Sequence, residues 1–130
     1  PRLKLRWSLM RVLVVDDDPF MTEILRLYLL RAGHETDTAE NGLAALRRLE
    51  SAPYDVVITD AVMPGMSGFE LCEAIRTGYP HIRIIGMTGQ VNVNEFEKSG
   101  AHLFFRKPVP FQDLLRAMQG LFQTDSSAAL

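Results

Sequence analysis

Five polar residues of this chain stand at the ends of short apolar runs, and their types belong together chemically. Asp16 and Asp17 follow the run 11–15, Asp60 follows 55–59, Thr88 follows 82–87, and Lys107 follows 103–106. If those runs are strands of one parallel sheet, three carboxylates, a hydroxyl and an ammonium converge on one rim, outside the strands' carboxyl ends. Two carboxylates about 5 Å apart repel by roughly 3 kcal/mol at an effective dielectric of about 20. Three raise one another's pKa unless a cation intervenes. An all-oxygen cluster suits Mg²⁺, a hard ion that keeps part of its hydration shell, with Mn²⁺ as a substitute of similar ligand preference. A divalent cation beside a fixed lysine neutralises charge on transferring oxygens, which is a phosphoryl-transfer arrangement. A carboxylate can itself be the nucleophile and become an acyl phosphate.

The elements that must position these groups follow from apolar periodicity. Arg11–Val15 and Asp55–Thr59 read as strands buried on both faces. Asp18 caps a helix that has Pro19 at its first position, carries Phe20, Ile24, Leu25, Tyr28 and Leu29, and stops near Gly33. His34–Ala39 suits an edge strand. Asn41-Gly42 opens a second helix through Leu43, Leu46 and Leu49. Met63-Pro64-Gly65 turns the chain, and Ser67 with Glu70 forms a capping box for a third helix. Ile82–Met87 is a strand, a short helix lies around Asn94–Lys98, and Leu103–Arg106 is the last strand. A final helix carries Phe111, Leu114, Leu115, Met118, Leu121 and Phe122. Strand and helix thus alternate five times, which implies an α/β fold with a doubly wound parallel sheet and right-handed crossovers.

Bulk properties agree and exclude some functions. The 130 residues are 47% apolar and 23% charged, enough for one core. A net charge of −2 gives no footprint for nucleic acid or an anionic membrane, so neither is an expected partner. Cys72 is the only cysteine, which excludes an internal disulfide and suits a cytoplasmic setting. Residues 1–9 show no period and read as an upstream extension or a cloning remnant. The domain is expected over 10–123, with 124–130 as a flexible tail and no output domain following it.

The motifs VVDDDP, ITDAVMPGMSGFEL, the strand ending in Thr88, and FFRKP resemble the response-regulator receiver family of two-component signalling, from about Met10 to Phe122. The resemblance implies a flavodoxin-like (βα)5 fold with strand order 2-1-3-4-5, an order for which a receiver is itself a standard example. It implies Asp60 as phosphoacceptor, Asp17 as direct Mg²⁺ ligand, Asp16 acting mostly through water, and the Val62 backbone carbonyl completing the metal site. Lys107 would pair with phosphoryl oxygens, and the Thr88 hydroxyl would turn inward to bond one. Phe104 sits at the aromatic switch position, and the Lys107–Pro108 peptide is expected to be cis. The implied partners are a sensor histidine kinase or a histidine phosphotransfer protein and a downstream effector, with a phosphorylation-dependent homodimer as a further expectation. Such a domain assists its own phosphorylation and slow autodephosphorylation without turning over a substrate as an enzyme does.

Several positions have plainer readings. Asp18 is explained by capping, Cys72 by packing, and Arg47 and Arg48 by a solvated helix face. His34, His81 and His102 lie near strand starts, away from the acidic rim. Nineteen positions separate Thr88 from Lys107, about one helical turn short of the family's usual spacing. The missing length falls at the fourth helix, part of the output face. Val62 is apolar where many relatives carry a polar side chain that positions water, whereas Gln90 is polar on the other side; together they are expected to set the lifetime of the phosphate. Two alternatives remain. One is a haloacid-dehalogenase-like phosphatase with Asp16 as nucleophile and Asp18 as acid. The other is an interaction module that needs no phosphate.

Overall fold

The computed structural model describes residues 9–89 and 93–129. The elements follow in strict alternation: β1 (Arg11–Val15), α1 (Pro19–Arg31), β2 (Glu35–Ala39), α2 (Gly42–Ser51), β3 (Val56–Asp60), α3 (Gly68–Gly78), β4 (Arg83–Thr88), α4 (Val93–Ser99), β5 (Leu103–Arg106) and α5 (Phe111–Ala129). All strand pairs are parallel, and the order across the sheet is β2-β1-β3-β4-β5, as expected. The chain leaves β1 in one direction to make β2 and returns on the other side to make β3. The crevice opened by that reversal lies at the carboxyl ends of β1 and β3. No described helix is long and apolar enough to cross a membrane.

Side chains alternate across the strands, so the sheet supports two cores. On one face Leu13, Val15, Val57 and Ile84 pack with Ala45 and Leu49 of α2, Leu71 and Ile75 of α3 and Phe96 of α4. On the other, Val12, Val14, Ile58, Ile85 and Met87 meet Leu25 and Leu29 of α1 and Leu114 and Met118 of α5. Each fully buried leucine or isoleucine contributes about 1.5–3 kcal/mol by leaving water. The helices start where their caps put them. Asp18 accepts from the Phe20 N–H at 3.0 Å, Asn41 from Ala44 at 2.8 Å, and Ser67 and Glu70 exchange bonds of 3.1 and 3.0 Å. Such caps are worth about 1 kcal/mol each.

Three sequence expectations change. Phe20 is 72% and Leu43 59% exposed, so neither belongs to the inward face of its helix. The buried rows are Thr22, Leu25, Leu29 in α1 and Gly42, Ala45, Leu49 in α2, the i, i+3, i+7 spacing of one narrow stripe. The last helix continues to Ala129 where a tail was expected from 124, because no Gly or Pro interrupts 124–129. Residues 1–8 and Gln90 lie outside the described residues.

The amino-terminal pole of the sheet carries two histidines, both away from the acidic rim. The buried His34 ring accepts from the Met10 N–H at 3.2 Å, and the His102 ring from that of Ile84 at 3.0 Å. Burial lowers the pKa of both; the charges of Arg83 and Arg76 lower His102 further. A depressed folded-state pKa means that the unfolded chain binds protons first as pH falls. Stability is therefore retained above the ordinary histidine value of 6.5 and lost as pH falls from there through the depressed values. His34→Gln keeps an acceptor but cannot titrate. Urea unfolding at a series of pH values should show a shallower acid-side loss for that variant than for the native chain; coincident profiles would contradict a buried neutral His34.

Candidate functional site

Asp60 closes β3, a strand whose five residues are all buried, so its carboxylate is placed with little freedom. Its backbone is fixed on two sides. The Ala61 N–H reaches the Met87 carbonyl of β4 at 2.9 Å, and the Gly68 N–H at the start of α3 reaches the Ala61 carbonyl at 2.9 Å. Gly68 lies so close that a Cβ there would collide with the Asp60 carbonyl oxygen and stand 2.9 Å from its carbon. This glycine serves close approach rather than an unusual backbone angle. Asp60 Oδ1 also accepts from the Ala61 N–H at 2.9 Å.

Asp16 and Asp17 follow β1 directly. Asp16 is 1% exposed, with Oδ1 accepting from the Asp18 N–H at 3.0 Å and Oδ2 from Lys107 Nζ at 2.9 Å. Lys107 Nζ also stands 3.3 Å from Asp60 Oδ2. One ammonium therefore spans two buried carboxylates, and its main chain is held by Lys107 N–H to the Thr88 carbonyl at 2.9 Å. Asp17 is exposed, yet Asp16, Asp17 and Asp60 each offer an oxygen within 4.8 Å of the others.

The electrostatics follow from that packing. Burial, then the Asp16 charge, raises the Asp60 pKa, against the pull of Lys107 and the Ala61 N–H. For Lys107 burial opposes its charge, but the Asp16 hydrogen bond and the Asp60 charge outweigh it, and its pKa rises. Three carboxylates against one ammonium leave two negative charges uncompensated, with two of the carboxylates buried. A hard divalent cation with oxygen ligands matches that deficit in both charge and donor type.

Thr88, 3% exposed, ends β4 beside this group. Val62 is 58% exposed at the mouth, two residues past Asp60. Phe104 is half-buried on β5 and packs on the core that contains Phe96. The Lys107–Pro108 peptide is cis. Asp16 makes a direct ion pair with Lys107. Asp18 spends its side chain on the helix cap, which deprives the phosphatase alternative of its acid. Cys72 is fully buried, its thiol pushed up to about 12, and is inert packing. Gly68 and the Ala61 N–H were missed. The only signal in the sequence was a glycine placed immediately after a capping serine.

A response regulator receiver domain model matches residues 12–119. The transcriptional regulatory protein TcrA of Mycobacterium tuberculosis is 31% identical over 89% of this chain, which spans 47% of that protein. The sensor protein EvgS of Escherichia coli is 34% identical over 86% of this chain, which spans 10% of it. The chain thus spans half or less of these relatives. Among solved structures, the response regulator protein TrrA of Thermotoga maritima in complex with Mg²⁺–BeF superposes with a TM-score of 0.80 at 37% identity, covering 86% of this chain and 98% of that one.

Gly68→Ala should fold but displace the Asp60 backbone, and misplacement by about 1 Å costs on the order of 10²-fold in a positioned reaction. Reaction of Asp60 with a small acyl phosphate, followed by intact mass, should slow about 10–100-fold. Gly78→Ala, where a Cβ meets nothing within 4 Å, should react at the native rate. Equal rates for all three proteins would remove the steric reading of Gly68.

Proposed function

The chain belongs to the response regulator receiver domain family of two-component signalling, and from that premise we propose that Asp60 accepts a phosphoryl group from a phosphohistidine and thereby resets a partner-binding surface. The observation that carries the reading is the Lys107 ammonium, 2.9 Å from Asp16 and 3.3 Å from Asp60, in a pocket of three convergent carboxylates. Asp16, Asp17, Asp60 and the Val62 carbonyl would hold Mg²⁺, or Mn²⁺ in its place. When bound, that ion supplies positive charge to phosphoryl oxygens.

The chain's own residues do the rest. Asp60, as the carboxylate, forms a new O–P bond while the N–P bond of the donor phosphohistidine breaks; the bond pair stays on that nitrogen, and the donor ring, already protonated on its other nitrogen, leaves as neutral imidazole. Lys107 is already within reach of Asp60 and shifts its charge toward the incoming phosphoryl oxygens, where charge is greatest in transfer. Asp16 keeps Lys107 oriented, because its second oxygen is tied to the Asp18 N–H. Thr88 bonds a phosphoryl oxygen, and Phe104 follows it. The donor is a sensor histidine kinase or a phosphotransfer protein, and the reader is an effector or a second copy of the phosphorylated domain. Such signalling belongs in the cytoplasm. The domain assists its own phosphorylation and slow hydrolysis rather than acting as an enzyme with turnover.

Incubation with Mg²⁺ and a small phosphodonor should add the mass of one phosphoryl group to the native chain and none to Asp60→Asn. A gain that survives the substitution would sink the assignment. The apolar, exposed Val62 offers no group to orient attacking water. Val62→Asn should therefore hydrolyse the aspartyl phosphate several-fold faster in a decay assay; an unchanged half-life would show that position 62 does not set the lifetime.

A further inference from the structure

Gly42, the first residue of α2, is buried under a side chain from another element. That side chain is Met66, in the segment 61–67 that joins Asp60 to α3. A Cβ at Gly42 would lie 2.6 Å from the Met66 Sδ and 2.8 Å from its Cβ and Cγ. Ordinary contact between such atoms begins at about 3.5 Å, so the thioether fills space that any other residue at 42 would need. The segment reaches this seat by turning at Gly65, whose φ of 78° favours glycine. Its other holds are Ala61, bonded to Met87 and Gly68, and the buried Met63, both in the core that α2 covers. Val62, Pro64 and Gly65 are exposed between these holds.

The same helix borders the acidic rim. A cleft of about 410 Å³ is walled by Asp16 and Asp17 at the end of β1, Pro19 and Thr22 of α1, and Ala44 and Arg48 of α2. Helix α2 thus meets the β1 carboxylates across this cleft and the segment after Asp60 at Gly42. It is a spacer between the two halves of the acidic group, Asp16 with Asp17 and Asp60 with Val62. Spacing matters to a hard cation: Mg²⁺ takes oxygens at about 2.0–2.1 Å in a strict octahedron, whereas Ca²⁺ accepts about 2.3–2.6 Å in a looser shell. The two differ by a few tenths of an ångström, less than the shift of about 1 Å that a Cβ at 42 would force.

We infer that Met66, seated on Gly42, is a positioning residue that fixes the width of the cation pocket and gives it a preference for Mg²⁺ over Ca²⁺. The inference rests on the reading of Asp16, Asp17, Asp60 and the Val62 carbonyl as cation ligands, and adds what sets their separation. Met66 acts through the segment that carries Val62. Outer contacts that orient ligands are worth about 10–100-fold in metal affinity.

Mn²⁺ binding to the full chain, read from loss of the free-ion signal in electron paramagnetic resonance, tests it without any phosphoryl transfer. Displacement of Mn²⁺ by Mg²⁺ and by Ca²⁺ gives the two affinities. The native chain should prefer Mg²⁺ by about tenfold or more. Gly42→Ala drives the segment off α2, and Met66→Ala removes its hold. Each should weaken Mg²⁺ about tenfold and Ca²⁺ by about twofold at most. Met66→Leu keeps an apolar side chain in the seat and should retain the native preference. Urea unfolding of the same samples registers any general loss of structure; should Gly42→Ala fail to fold, Met66→Ala against Met66→Leu decides. The inference alone fails if the native chain binds Mg²⁺ and Ca²⁺ equally, or if Met66→Ala keeps the native ratio. It also fails alone if Met66→Leu loses the ratio as fully as Met66→Ala does. No Mn²⁺ binding by the native chain, or binding undiminished in Asp17→Asn, would overturn the proposed cation site and this inference with it.

Discussion

Asp16 and Asp60 are two like charges buried side by side and tied to one ammonium. A buried ion costs several kcal/mol to desolvate, and removing one partner of such a group leaves an uncompensated charge. Lys107 can serve both carboxylates only if β5 lies on the far side of β4, bringing its carboxyl end to the rim. The hydrogen bond from the Lys107 N–H to the Thr88 carbonyl secures that placement. The pocket nevertheless stays short of positive charge, because Asp17 has no ion pair of its own among the described residues. A site that is electrostatically incomplete in this way matches a hard divalent cation in charge and donor type.

The sheet makes this possible. β3 is buried along all five residues and flanked by paired strands on both sides, so Asp60 inherits the rigidity of the most enclosed element. The Gly68 contact presses α3 against the Asp60 carbonyl, so that the capping box at Ser67 and Glu70 sets the height of Asp60 as well as starting a helix. Cap, glycine and strand end act as one fixture. The exposed Val62 lies just beyond it, where a side chain can vary without disturbing the fixture.

Much of this was legible in the sequence, because each signal was local. Runs of β-branched residues give the strands, and Asp18, Asn41 and Ser67 give the caps. The polar residues after each run give the rim once the strands are parallel. What stayed hidden depended on distance or on the absence of a side chain. Periodicity counted Phe20 and Leu43 as inward, but the narrow stripes that face the sheet run through Thr22 and Gly42, which carry no strong apolar signal. Lys107 and Asp16 meet across 91 positions, a pairing that no local pattern encodes. Gly68 and Gly42 matter for what they leave empty, and an empty space has no periodicity.

The two poles of the sheet respond unequally to a change of charge. At the amino-terminal pole the ladder is closed by the histidine rings, and Tyr54 donates to Asp37 at 2.6 Å while the Arg11 guanidinium lies 5.2 Å over the Tyr54 ring. Among the described residues that pole's polar side chains are partnered apart from the buried Nε of Arg11. At the carboxyl pole three carboxylates share one ammonium, and Asp17 is exposed at the rim. A new anion on Asp60 therefore finds its softest response in Lys107, Thr88 and the elements beside them rather than along the strands. Directionality arises here from unequal compensation, because the same force meets largely partnered polar groups at one pole and carboxylates in excess of cations at the other.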